Sequence, residues 1–173
     1  SMNLSLRYAA GNELTRFSFH AGYYKEGTVF PAELGNKRLN FGLGVTQFSK
    51  NRKFSADFTA KYAVDDSRLL NQDFTSFINL APNAPAMYEP DGSLRWYEKG
   101  IAFNNPFSLL LQDYQGVTSR LSTNGVASYN LLPGLTAKLS LGFNEARFEE
   151  TGLTPIVSQH PSNNPRGIAS FGN

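Results

Sequence analysis

Apolar and polar residues alternate strictly over two segments joined by one short polar turn, and that period commits this part of the chain to β-structure. The first segment is Arg38-Leu39-Asn40-Phe41-Gly42-Leu43-Gly44-Val45-Thr46; the second runs from Phe54 to Val64, after the turn Ser49-Lys50-Asn51-Arg52-Lys53. Successive side chains of a strand point to opposite faces. Leu39, Phe41, Leu43 and Val45 therefore share one face, and Arg38, Asn40, Gly42, Gly44 and Thr46 the other. In the second arm Phe54, Ala56, Phe58, Ala60, Tyr62 and Val64 oppose Ser55, Asp57, Thr59 and Lys61. A half-buried soluble hairpin alternates in the same way. The second arm, however, covers about eleven residues, longer than the ~5–6 of a typical globular strand and equal to the ~9–11 that a tilted strand needs to cross a bilayer. Its apolar face also carries Tyr62 near one end, where membrane barrels place aromatic girdles.

The same period recurs along the chain. Leu4, Leu6 and Tyr8 alternate over 3–8, and Ala10-Gly11-Asn12-Glu13 has turn chemistry. Over 15–24, Phe17, Phe19, Ala21 and Tyr23 oppose Arg16, Ser18, His20 and Gly22. Alternation stops after Asp65-Asp66 and resumes over 119–131, with Leu121, Thr123, Gly125, Ala127, Tyr129 and Leu131 on one face. Leu132-Pro133-Gly134 is a tight turn, and Leu135, Ala137, Leu139, Leu141 and Phe143 then alternate with Thr136, Lys138, Ser140 and Gly142. From Glu145 onward the pattern is lost in a segment rich in Pro, Ser and Asn, so no terminal strand is expected beyond the start of a seventh. The links run short (10–13), long (25–37), short (49–53), very long (65–118), short (132–134) and long (145 onward). Such sorting is expected of an outer-membrane barrel, with short turns on one side and long loops on the other. The expected fold is all-β: an antiparallel up-and-down meander of about six strands, part of a large transmembrane β-barrel, with 1–173 a single partial domain and 65–118 a long external loop within it.

Composition narrows the classes. Charged residues make up 17% of the 173, below the ~25% of ordinary soluble domains, and aromatics 13%. A net charge of +2 is too small to argue for nucleic acid. The absence of cysteine excludes disulfides and thiolate metal sites. No segment approaches the ~20 apolar residues of a transmembrane helix, which leaves a barrel open because its strands hide hydrophobicity in alternation. The chain opens in a strand pattern at Ser1-Met2-Asn3, without the basic and apolar regions of a secretory signal.

Several segments in order resemble the SusC/RagA-type TonB-dependent outer-membrane transporters of Bacteroidetes. They are Gly11-Asn12-Glu13 with 17–24 behind it, Lys25-Glu26-Gly27, and Arg38-Leu39-Asn40-Phe41. The most specific are Ala81-Pro82-Asn83-Ala84-Pro85-Ala86-Met87-Tyr88, Asp91-Gly92-Ser93-Leu94-Arg95-Trp96 and Asn105-Pro106, followed by Leu131-Leu132-Pro133-Gly134-Leu135. The resemblance spans nearly the whole chain. It implies a slice of a 22-strand barrel that, with a plug domain and a SusD-like surface lipoprotein, imports glycans or peptides using energy from TonB. Plug, TonB-box-like segment and closing strand are missing from the pattern. The implied partners are the rest of the barrel and its plug, the lipoprotein, outer-membrane lipid, and TonB only through the plug. The implied location is the outer membrane of a Gram-negative bacterium, and neither a cofactor nor enzymatic activity is expected. An open sheet of this kind leaves two unpaired edges, costly in lipid and prone to template aggregation.

His20 and His160 have no acid or second histidine at ligand spacing, so no metal site is expected. Asp65-Asp66 and Glu149-Glu150 are adjacent pairs whose members point to opposite faces of a strand, which separates them from paired-acid glycosidase chemistry. Gly42-Leu43-Gly44 lies inside a strand and is no phosphate loop. Lys50, Arg52 and Lys53 read as a solvated turn. The long loop is the best functional segment, since rings such as Tyr88, Trp96 and Tyr97 can stack on sugars or grip a peptide. Tyr88, Asp91, Trp96, Tyr97 and Asn105 are the candidate ligand- or partner-binding residues, although the same aromatics would serve to pack the loop on itself. Its acids, Asp73, Glu89, Asp91, Glu98 and Asp113, outnumber Arg95 and Lys99. Local helical turns are expected over 73–80. Arg16, Asp57, Lys61 and Lys138 are expected to face the lumen of the barrel. Two other readings stay open: a soluble extracellular β-sandwich that binds carbohydrate through Trp96, and a β-rich hydrolase using loop acids.

Overall fold

The computed structural model describes residues 1–28, 34–70, 72, 77, 80, 81 and 83–173. The alternating segments form strands β1 (Met2–Gly11), β2 (Thr15–Gly27), β3 (Gly35–Phe48) and β4 (Phe54–Leu69). A two-residue pair follows, β5 (Tyr97–Glu98) and β6 (Ile101–Ala102), then β7 (Asp113–Leu132), β8 (Leu135–Thr154) and β9 (Ile168–Gly172). Seven of these make one antiparallel sheet in the order β1-β2-β3-β4-β7-β8-β9, a meander in which every strand pairs with its neighbour in the chain apart from the β5-β6 hairpin. The sheet is not closed into a barrel.

The tight links explain themselves. In the β1–β2 turn the Asn12 side-chain oxygen accepts from the Leu14 and Thr15 amides at 2.9 and 2.8 Å. In the β3–β4 turn the Ser49 hydroxyl oxygen accepts from the Phe54 amide at 2.9 Å. Gly134, with φ of 84°, takes the left-handed position between β7 and β8 that a side chain would disfavour.

Strands run further than hydrophobic alternation does. β4 continues to Leu69, β7 begins at Asp113, and β8 continues through Glu145, Arg147 and Glu149 to Thr154. The long loop is thereby shortened from 65–118 to 70–112. The seventh strand, of which only a start was expected, is β9, which pairs with the end of β8, Glu150 opposite Gly172 and Thr154 opposite Ile168. Strand pairing is made by backbone groups, so it persists where the outer side chains turn from Leu and Phe to Glu and Arg. The helical turns expected over 73–80 lie largely outside the described residues; Phe77 and Leu80 are described, and the Leu80 amide donates to the Phe77 carbonyl at 2.9 Å.

By contact the residues divide into two units: 1–26, 36–66 and 117–148 in one, and 27–35, 67–116 and 149–173 in the other. The first unit is sheet alone. Cross-strand partners share a face, so Leu4 opposite Tyr23, Leu6 opposite Ala21 and Tyr8 opposite Phe19 place the apolar sides of β1 and β2 together. No second layer of that unit packs on this side: Leu6 is 61% and Leu141 66% exposed, and Leu4, Leu39, Phe41, Phe58, Leu139 and Phe143 are exposed as well. Among the described residues the buried apolar side chains include Leu94, Pro106 and Leu109, all in the second unit.

On the polar side, glycines and larger groups interlock across β2 and β3. A Cβ on Gly42 would come within 1.8 Å of the His20 ring, and one on Gly44 within 2.6 Å of the Ser18 hydroxyl. Gly42→Ala should therefore push the His20 ring aside and cost about 1 kcal/mol, the lower end for overpacking. Denaturant unfolding of the single and double variants checks this: the cost should vanish in a His20→Ala background, and a full cost there would mean the ring is not what the methyl meets.

Candidate functional site

Two groups of residues stand out, one on the polar face of the sheet and one in the loops. On the polar face β1, β2, β3 and β4 enclose a trough of about 750 Å3 lined by Gly11, Arg16, Ser18, Thr46, Asp57 and Thr59. Asp57 accepts a 2.7 Å hydrogen bond from the Thr46 hydroxyl. The Arg16 guanidinium sits 6.0 Å above the Phe48 ring, which Arg52 also approaches at 5.0 Å. Arg52 of the turn is thus held by an aromatic face as well as by solvent. Lys61 and Lys138 are exposed on the same polar side of β4 and β8. Of the four residues expected to line one surface, Arg16 and Asp57 share the trough; Lys61 and Lys138 lie outside it.

Sequence inspection missed the role of Asp65. Its side chain is 14% exposed and pairs with Arg38 of β3 and, at 3.7 Å, with Arg120 of β7. One carboxylate thus ties three neighbouring strands together. Arg38 and Asp65 each fall on the polar side by parity, but the register that joins them to Arg120 spans the long loop and has no local signal.

The loop group builds its own small core. Between Met87 and Arg95 the chain doubles back: the Glu89 amide donates to the Ser93 carbonyl at 2.8 Å, the Arg95 amide to Met87 at 3.0 Å, and Tyr88 bridges Leu94. The turn is the expected one, with Gly92 at φ of 84° and its amide on the Glu89 carbonyl at 2.9 Å. Asp91 closes it by accepting from the Ser93 amide and hydroxyl at 2.9 and 2.7 Å. Those two bonds hold its carboxyl below the usual carboxylate range. Arg95 forks onto both oxygens of Glu89 at 3.1 and 3.2 Å and reaches Glu98 at 2.9 Å, which keeps the guanidinium firmly charged.

Asn105 lies at the centre of this loop core. It is 1% exposed; its amide nitrogen donates to the Met87 and Arg95 carbonyls at 2.6 and 2.9 Å, and its oxygen accepts from the Phe107 amide at 2.9 Å. Asn105, expected as a ligand- or partner-binding residue, is buried here with both polar atoms of its side chain hydrogen-bonded within the loop. Phe107 is the second residue of a six-residue run of 3-10 turns from Pro106 to Leu111, and its ring stacks on Tyr88 at 5.5 Å with planes 14° apart. Trp96 and Tyr97 both meet the His160 ring edge-on at 5.2 Å. His160 is held in turn by the Ser162 amide and hydroxyl at its Nδ1, 3.2 and 2.6 Å away. Tyr88 and Tyr97 remain about half exposed, and Asp91 is exposed with its carboxylate committed to Ser93. The structure therefore gives Tyr88, Trp96 and Tyr97 packing partners within the loops while leaving faces of the two tyrosines open. His160, set aside in the sequence, is the shared contact that brings Trp96 and Tyr97 together.

Among the described residues no group of three His, Asp or Glu side chains could hold a metal ion. Compared with protein-family models and with curated proteins, the sequence matches none.

Asn105→Ala would strand two carbonyls and one amide, each costing roughly 1–3 kcal/mol where water cannot replace the lost partner. Limited proteolysis should then cut within 84–112 while the sheet strands stay protected, and Trp96 emission should shift red. Because the folded Asp91 carboxyl titrates below its ordinary range, its contribution to the turn is complete above that range and is lost only as pH falls through the lowered value. The Ser93 amide resonance should report that titration, and it should move to higher pH when Ser93 is replaced by Ala.

Proposed function

We propose that this chain is part of the barrel wall and external loops of a TonB-dependent outer-membrane transporter of the SusC/RagA type, importing glycans or peptides. The observation that carries the reading is the exposed apolar side of the sheet and the way it ends. On β4 it extends from Phe54 to Val64, a run of about 33 Å along the strand at ~3.3 Å per residue. A strand tilted by ~40° projects this to about 25 Å, the height of the lipid-facing band of outer-membrane barrels. Charge begins at the long-loop end of the band on the same side: Lys25 after Tyr23 on β2, Asp66 after Val64 on β4, and Glu145 and Arg147 after Phe143 on β8.

Aromatic residues stand near both borders, with Tyr23, Tyr62 and Phe143 toward the long loops and Tyr8, Phe17, Phe54 and Tyr129 toward the short turns. Tyr8 and Phe17 approach at 6.3 Å between ring centres. The border also runs obliquely across the strands: Tyr62, still inside the band on β4, lines one small cavity with Glu145 and Arg147 on β8. A band horizontal in a membrane crosses tilted strands in that way. In this reading Arg16, Asp57, Lys61 and Lys138 face the passage, and the long loop with Tyr88, Asp91, Trp96 and Tyr97 meets substrate or the lid lipoprotein. The chain performs no covalent chemistry.

Leu139 sits at the middle of the band on β8, and Ser140 beside it on the polar face. In phosphatidylcholine vesicles Leu139→Arg should destabilise the folded chain by about 2–4 kcal/mol, as for a cation at the bilayer midplane, and Ser140→Arg by far less. Urea titration of both variants reads the difference. A chain that stays monomeric and soluble without detergent and is indifferent to Leu139→Arg would overturn the reading in favour of a soluble carbohydrate-binding β-sandwich.

A further inference from the structure

The polar face carries a stripe of cationic and donor groups at mid-strand whose charges are not balanced within it. Arg7 of β1 and His20 of β2 are direct cross-strand partners. The His20 ring lies over Gly42 of β3, the one residue that leaves it room. Gly42 in turn faces Lys61 of β4: the Thr46–Asp57 and Arg38–Asp65 pairs fix the register on either side, and both Gly42 and Lys61 lie midway between them. Arg7, His20, Gly42 and Lys61 thus form one row across four strands, about 14 Å from end to end at ~4.8 Å per strand.

The acids of this face are already engaged. Asp57 accepts from Thr46, and Asp65 is shared by Arg38 and Arg120. Among the described residues no ion pair involves Arg7, His20 or Lys61. Asn3, Ser5 and Asn40 join Arg7 and His20 around a cavity of about 490 Å3. Amide and hydroxyl groups next to unbalanced cations suit a ligand with hydroxyls and a carboxylate, and a guanidinium binds a carboxylate through two parallel bonds.

We propose that the row Arg7–His20–Lys61 is a subsite for an acidic sugar, with Arg7 and Lys61 taking the carboxylate, the His20 imidazole seated on Gly42 as its floor, and Asn3, Ser5 and Asn40 taking hydroxyls. The subsite deepens the transport reading, on which its role in solute passage rests.

The test is titration of the detergent-solubilised 173-residue chain with sodium glucuronate, glucose and sodium acetate, followed by calorimetry. Glucuronate should bind saturably, and glucose and acetate each roughly tenfold or more weaker, since each lacks one set of charge-assisted or hydroxyl contacts. Arg7→Gln and Lys61→Gln should each weaken glucuronate roughly tenfold, and the double variant should abolish binding. Gly42→Ala, by displacing the ring, should weaken it as well. Lys61→Arg, which keeps the charge, should retain most of the affinity, Arg7→Lys, which keeps the charge but loses the paired bonds, should retain more than Arg7→Gln does, and Lys138→Gln on the same face should leave it unchanged. Far-UV circular dichroism identifies any variant that fails to fold, and the charge-keeping pair then decides. Equal binding of glucuronate and glucose, acetate as tight as glucuronate, or native affinity in the double variant would each overturn the subsite. A chain that binds glucuronate yet is soluble without detergent sinks the transport reading and keeps the subsite; one that needs detergent and ignores glucuronate does the reverse.

Discussion

A β-sheet with one apolar face must put that face against something other than water, and most of this structure depends on how that requirement is met. Fully burying a Leu or Phe side chain stabilises a fold by about 1.5–3 kcal/mol, and a contiguous apolar patch beyond a few hundred Å2 marks an interaction surface. Here the sheet unit leaves Leu4, Leu6, Leu39, Phe41, Phe58, Leu139, Leu141 and Phe143 exposed on one side. An ordinary two-layer domain would cover such a side with a second sheet or with helices. In the reading proposed above, hydrocarbon would be that layer, and the Tyr and Phe followed by Lys, Asp, Glu and Arg would mark its border.

The loops bury a few groups among themselves. Leu94 and Leu109 are the apolar centre, and the buried amide of Asn105 holds the hairpin of 87–95 to the 3-10 run that follows it. Partly exposed ion pairs such as Arg95–Glu89 contribute about 0–1 kcal/mol. The satisfied buried amide matters more, because losing it leaves three backbone groups without partners. A loop organised in this way can hold Tyr88 and Tyr97 half exposed in fixed positions, and rigid aromatic rings lose little entropy on meeting a ligand.

The polar face is held by pairs rather than by packing. Gly42 admits the His20 ring, Gly44 the Ser18 hydroxyl, and Asp65 joins Arg38 and Arg120. These contacts align β2, β3, β4 and β7 without any apolar core between them. Among the described residues they leave Arg7 and Lys61 of the mid-strand row without an ion pair.

Alternation of side chains was enough to place β1 to β4, β7 and β8, to assign each residue to a face, and to order short and long links, because period 2 is a local property of the strand. Turn chemistry at Asn12, Gly92 and Gly134 was legible for the same reason. Strand ends were not: β8 runs on past Phe143 and β9 pairs with it through backbone groups that leave no mark in hydropathy. Nor could the sequence separate a ring that binds from one that packs. Only the tertiary structure decided that Asn105 is a buried clamp, that His160 meets both Trp96 and Tyr97, and that Asp65 takes two arginines. Each of those is a contact between residues far apart in the chain, and its existence depends on register and on how the loop folds back, which no local pattern encodes.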